Sequence, residues 1–118
     1  MQIDERSVGA VTILDLTGKL TFGDGDAALK EKVRSLVNRG CRQLVLNLAG
    51  VPHVDSVGIG EIVGTYTTIS HRGGSLKLLN VPKRIRDLLV ITKLLSVFET
   101  FDSETEAVRT FLPPGTAS

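Results

Sequence analysis

Leu44-Val45-Leu46-Asn47-Leu48 is apolar on nearly every residue. A strand with one face in water alternates apolar and polar positions, so a run of this kind belongs to a central strand covered on both sides. Patterns of helical period stand before and after it. Leu29, Val33, Leu36 and Val37 fall at i, i+4, i+7 and i+8, with Lys30, Glu31, Lys32 and Arg34 turned outward. From about Val57 to His71, the residues Ile59, Ile62, Val63, Tyr66 and Ile69 gather on one face. A buried strand between two amphipathic helices calls for βαβ connections and a largely parallel sheet.

The rest of the chain extends this alternation. Ile3 to Ser7 and Ala10 to Thr17 read as strands joined at Gly9, and Gly40 ends the first helix. Gly73-Gly74 ends the second helix, and Leu76 to Leu79 forms the next strand. Pro82 suits the first position of a third helix carrying Ile85, Leu88 and Leu89. Val97 to Phe101 reads as a last strand. Ser103-Glu104-Thr105-Glu106 is a capping box that opens a final helix through Ala107, Val108, Phe111 and Leu112. The expectation is an α/β sandwich with a mixed, mainly parallel sheet of about five strands and about four helices. It forms one domain over residues 1–112, and residues 113–118 form a disordered tail.

Charge and cysteine content narrow the function. Lys and Arg number 14 against 13 Asp and Glu, for a net charge of +1, and only 4% of residues are aromatic. No basic cluster interleaved with aromatics is present, which argues against direct nucleic-acid binding. The single Cys41 can make no internal disulfide and fits a reducing compartment. The apolar runs are short and the N-terminus lacks a signal-peptide core, so a cytoplasmic protein with no membrane insertion is expected.

The chemistry concentrates in Val54-Asp55-Ser56-Val57-Gly58-Ile59-Gly60, between the buried strand and the second helix. Here a hydroxyl, Ser56, stands beside an acid at a helix start. Unpaired N–H groups and the helix dipole make such a position tolerant of a phosphate. Ser56 is therefore the candidate phosphorylation site; the plainer reading makes it an N-cap and nothing more. Catalysis by Ser56 would need a base in reach, and Val54 breaks any Gly-x-Ser-x-Gly elbow, so no enzyme is expected. Along the outer face of the second helix run Val57, Glu61, Gly64 and Thr68, with Gly60 at its edge. Each glycine costs about 1 kcal/mol of helix propensity, which favours a low-relief docking patch over a merely solvated face. Covering of the glycines by a neighbouring loop is the other possibility.

Gly23-Asp24-Gly25-Asp26 lacks the calcium-loop spacing and reads as a helix entry. His53, His71 and Cys41 share no metal-ligand spacing, so neither metal nor cofactor is expected. Lys83, Arg84 and Arg86 read as a solvated helix face.

The order of elements, the opening Leu14-Asp15-Leu16-Thr17-Gly18-Lys19-Leu20, the strand Leu44 to Leu48 and the Asp-Ser-x-Gly-hydrophobic-Gly motif together resemble STAS domains. They resemble the bacterial anti-sigma-factor antagonists most, over roughly Ile3 to Leu112. The resemblance implies a STAS-type sandwich whose serine after the aspartate, here Ser56, is phosphorylated by a partner that is both anti-sigma factor and serine kinase. It further implies that the unmodified form binds this partner and frees a sigma factor, and that a serine phosphatase resets the cycle. Val57 stands where many members carry a second Ser or Thr, and Thr21 where many carry an acid. With the helix face already described, the candidate partner-contacting residues are Asp24, Asp26, Asp55, Val57, Gly58, Gly60, Glu61, Gly64 and Thr68, the loop acids Asp24 and Asp26 by the resemblance. The alternative is a STAS scaffold in a signalling assembly, or a regulatory subunit of an ABC-type lipid transporter.

Overall fold

The computed structural model describes residues 1–111. Strands β1 (Gln2–Val8) and β2 (Val11–Thr17) form an antiparallel hairpin with Val8 opposite Val11. Gly9 enters its two-residue turn at φ +60°, which suits the right-handed twist of the flanking strands. Then come α1 (Asp26–Asn38), β3 (Gln43–Gly50), α2 (Ser56–His71), β4 (Ser75–Leu79), α3 (Lys83–Ile91), β5 (Glu99–Phe101) and α4 (Glu104–Arg109).

The five strands lie in sequence order, and each strand from β3 onward runs parallel to its predecessor. Because every crossover steps in the same direction, its right-handedness places α1, α2 and α3 on one face of the sheet. Leu14, Leu44, Leu46 and Leu48 meet Leu29, Val33, Ile62, Ile69, Ile85 and Leu89 there. Val11, Ile13, Val45 and Leu79 point to the other face, where Ala107 of α4 covers them together with Phe101 and Phe111. β3 thus feeds both cores, which is why its sequence does not alternate. Lys77 sits only 4% exposed on β4 because its ammonium pairs with Glu99 at 2.9 Å and lies 4.6 Å above the Phe111 ring.

Three boundaries differ from the sequence expectation. Leu95–Val97 forms a 3₁₀ turn, and the last strand is only Glu99–Phe101, because buried Phe98 turns inward to meet Tyr66 edge-on at 5.6 Å. Pro82 is the N-cap of α3, not its first residue. α4 ends at Arg109; Leu112 and the expected tail at 113–118 lie outside the described residues. The capping bond of Ser103, which accepts from the Glu106 N–H at 3.3 Å, is present.

A polar row ties the two ends of the chain across the sheet. The Arg6 guanidinium donates to Asp15 at 2.6 and 3.1 Å and to Glu104 at 2.6 and 3.2 Å. Asn47 donates to Asp15 at 2.8 Å. Arg6 holds both the Asp15 and the Glu104 carboxyl below the usual range. A folded-state pKa below the unfolded one adds stability that is complete above about pH 5 and is lost as pH falls through the lowered values. Arg6→Gln should therefore lower the melting temperature at pH 7, and its deficit relative to wild type should shrink in thermal melts taken between about pH 5 and pH 2. A deficit constant across that range would show that the guanidinium acts through packing alone.

Candidate functional site

β3 ends at Gly50, and the chain returns through Val54 to start α2 at Ser56. Asp55, with extended backbone, is the N-cap: its Oδ1 accepts the Gly58 N–H at 2.9 Å. Its other oxygen, Oδ2, accepts the Phe22 N–H of the β2–α1 loop at 2.9 Å. These two backbone hydrogen bonds hold the Asp55 carboxyl below the usual carboxylate range, Phe22 contributing most. The N-cap reading of Ser56 is thereby corrected. Ser56 is the first helical residue, exposed, and its hydroxyl has no hydrogen-bond partner among the described residues.

The β2–α1 loop is fastened to the motif at further points. The Leu20 N–H donates to the His53 carbonyl at 2.9 Å, and Leu20 pairs with Val54 in an isolated parallel bridge. Gly58 lies beneath this contact. A Cβ built on Gly58 would come within 1.9 Å of the Leu20 carbonyl oxygen. Gly58, expected among the partner-contacting residues, is buried, so its role is to let the loop close over the helix start.

The clamp presents Phe22, a residue whose backbone Asp55 holds and which is 75% exposed. Sequence reading passed over Phe22. The available signal was a lone large aromatic in Thr21-Phe22-Gly23-Asp24-Gly25, a loop otherwise built of small and polar residues. Val57, on the first turn of α2, is also exposed. Asp24 is exposed on the same loop, while Asp26 is half-buried and accepts the Gly23 N–H at 3.0 Å at the start of α1.

Further along α2, Gly60 is exposed and Gly64 half-buried, and a Cβ on either would meet nothing within 4 Å. Among the described residues no neighbouring loop covers them. Thr68 is exposed, whereas Glu61 is drawn toward α1 by Lys30 at 3.4 Å. Thr65 is buried and donates its hydroxyl back to the Glu61 carbonyl at 2.8 Å, a polar member of the inner face that periodicity did not include. The guanidinium of Arg84, expected to be solvated, donates to His53 Nδ1 at 2.9 Å. That imidazole nitrogen is therefore occupied by Arg84. Among the described residues no group of three His, Cys, Asp or Glu could hold a metal, and no helix is long and apolar enough to cross a membrane.

The arrangement presents an exposed hydroxyl, two exposed apolar side chains and, among the described residues, a helix face with open space above its glycines. Comparison with known proteins identifies the family. The family model described as STAS domain matches residues 2–107. The anti-sigma F factor antagonist of Paenibacillus polymyxa is 28% identical over 92% of each chain. The crystal structure of TM1081 from Thermotoga maritima superposes with a TM-score of 0.85 at 25% identity, over 92% of each chain. The Bacillus cell fate determinant SpoIIAA in its phosphorylated form shares the fold at a TM-score of 0.75 and 18% identity, covering 94% of this chain and all of that one. The chain belongs to the STAS-domain family, and its relatives there include anti-sigma factor antagonists.

Proposed function

We propose that this protein is an anti-sigma factor antagonist whose binding is switched by phosphorylation of Ser56. Its partner is an anti-sigma factor that is also a serine kinase; sequestering that partner releases a sigma factor and activates transcription in the cytoplasm. The reading is carried by Ser56 itself, an exposed, unengaged hydroxyl on the first turn of α2, immediately after the Asp55 cap. In the modification, the Ser56 oxygen takes the γ-phosphoryl group of ATP, ADP leaves, and the hydroxyl proton is released. A serine phosphatase reverses it by hydrolysis.

The added group brings about −1.5 to −2 charges. Asp55 already satisfies the cap, so the fold does not depend on the serine hydroxyl. A partner that covers the unmodified surface of Ser56, Val57 and Phe22 would have to bury the new charge unpaired. The protein itself needs no catalytic group for this role. Incubation with the kinase and ATP should add one phosphate, and Ser56→Ala should abolish the addition, read by intact-mass spectrometry. A phosphate that persists in Ser56→Ala would move the switch elsewhere.

A further inference from the structure

A groove of about 330 Å³ runs between α1 and α2. Its floor is apolar, formed by Val33 and Val37 of α1 and by Thr65, whose hydroxyl is occupied within its own helix. Its rim carries Lys30, Arg34 and Arg72 against a single carboxylate, Glu61. Glu61 is 16% exposed and already faces Lys30. Arg34 is bound only loosely, by an i,i+3 pair at 3.3 Å with Glu31 in which both side chains are more than 60% exposed. Such surface pairs contribute little and exchange readily. Arg72, exposed at the C-terminal end of α2, has no ion-pair partner among the described residues. In a chain of net charge +1, the rim of this groove is thus net positive.

We infer that this groove seats an acidic amphipathic helix of the anti-sigma factor, with its apolar stripe on Val33, Val37 and Thr65 and its carboxylates toward Lys30, Arg34 and Arg72. The inference rests on the function proposed above and specifies the partner chemistry of that surface. From Glu61 to Arg72 the rim spans about three helical turns, or about 16 Å, long enough for anchors at i, i+3 or i+4 and i+7. Gly64 in the lining and Gly60 beside it leave open space above α2, so another backbone can approach closely.

The test uses the full chain and the kinase that phosphorylates Ser56. Calorimetric titration should show binding to wild type that weakens with added salt, and Arg34→Glu combined with Arg72→Glu should weaken it at least about tenfold. Gly64→Leu, which fills the groove without changing charge, should weaken it comparably. Circular dichroism and melting curves confirm that these variants fold. In parallel, the isotope-labelled chain is titrated with a synthetic helical peptide carrying a leucine stripe and glutamates elsewhere, and with its lysine counterpart. The glutamate peptide should shift the amides of Val33, Val37, Gly64 and Thr68; the lysine peptide should not. If the charge-reversed chain binds the kinase unchanged while Ser56→Asp does not bind, the groove is overturned and the switch stands. Equal binding of the two peptides, or shifts outside the groove, overturns it likewise. Failure of wild type to bind the kinase at all removes the proposed function, and the occupant named here with it.

Discussion

Gly58→Ala is expected to destabilise the protein by about 3 kcal/mol or more, while alanine two or six residues further along the same helix stabilises it. At Gly58 the added methyl would stand 1.9 Å from the Leu20 carbonyl oxygen, 2.7 Å from a Val54 methyl and 2.9 Å from the Leu20 carbonyl carbon. Two of these atoms are backbone, so relief requires moving the Leu20 segment. That segment is held by its bridge to Val54 and by its bond to the His53 carbonyl. Overpacking against side chains alone costs about 1–3 kcal/mol, and an obstacle of backbone sits at the upper end of that range or beyond. At Gly60 and Gly64 nothing among the described residues lies within 4 Å of the new methyl. Only helix propensity changes there, for a gain of about 0.5–1 kcal/mol per site. That gain should raise the melting temperature by about 4 °C per kcal/mol in a domain of this size. Urea titration of the three variants gives the order directly. Similar shifts for all three would mean that Leu20 does not rest on the helix as described.

Ser56→Asp is expected to reduce affinity for the kinase partner at least about 100-fold while moving the melting temperature by less than about 2 °C. The side chain is exposed and the cap belongs to Asp55, so stability has little to lose. Affinity has more to lose, because the new carboxylate lies beside Asp55 on a surface the partner must desolvate. An uncompensated buried charge costs about 3–5 kcal/mol, and each 1.4 kcal/mol is tenfold. Calorimetry on the variant and wild type measures the first part, and a thermal melt the second. A stable variant that retains full affinity would remove Ser56 from the interface.

The architecture was legible because its signals are periodic. β3 could be read as central from Leu44-Val45-Leu46-Asn47-Leu48, and α1 from Leu29, Val33, Leu36 and Val37, since burial on a face repeats along the chain. Where an element is set by a contact distant in sequence, the local pattern misleads. Val97 has the look of a strand residue, but Phe98 packs on Tyr66 and shortens β5. At the candidate site the motif itself was legible. Its division of labour was not: whether Asp55 or Ser56 capped the helix depended on which side chain the Gly58 N–H would meet. Gly58 and Gly60 are equivalent as letters and opposite in role, since only folding brings Leu20 over the first. Phe22 shows the converse case, an apolar residue kept outside because the loop around it is fixed from below.

The double grip of Asp55 has a consequence for how a mark on Ser56 would be handled. The amide of Gly58 is already taken, so an ester on the exposed Ser56 oxygen would not be drawn into the cap that Asp55 makes. Such an ester is easy to reach. An eraser enzyme can find it without first prying the domain open, so the rate of resetting would be governed by encounter and chemistry, not by breathing of the substrate.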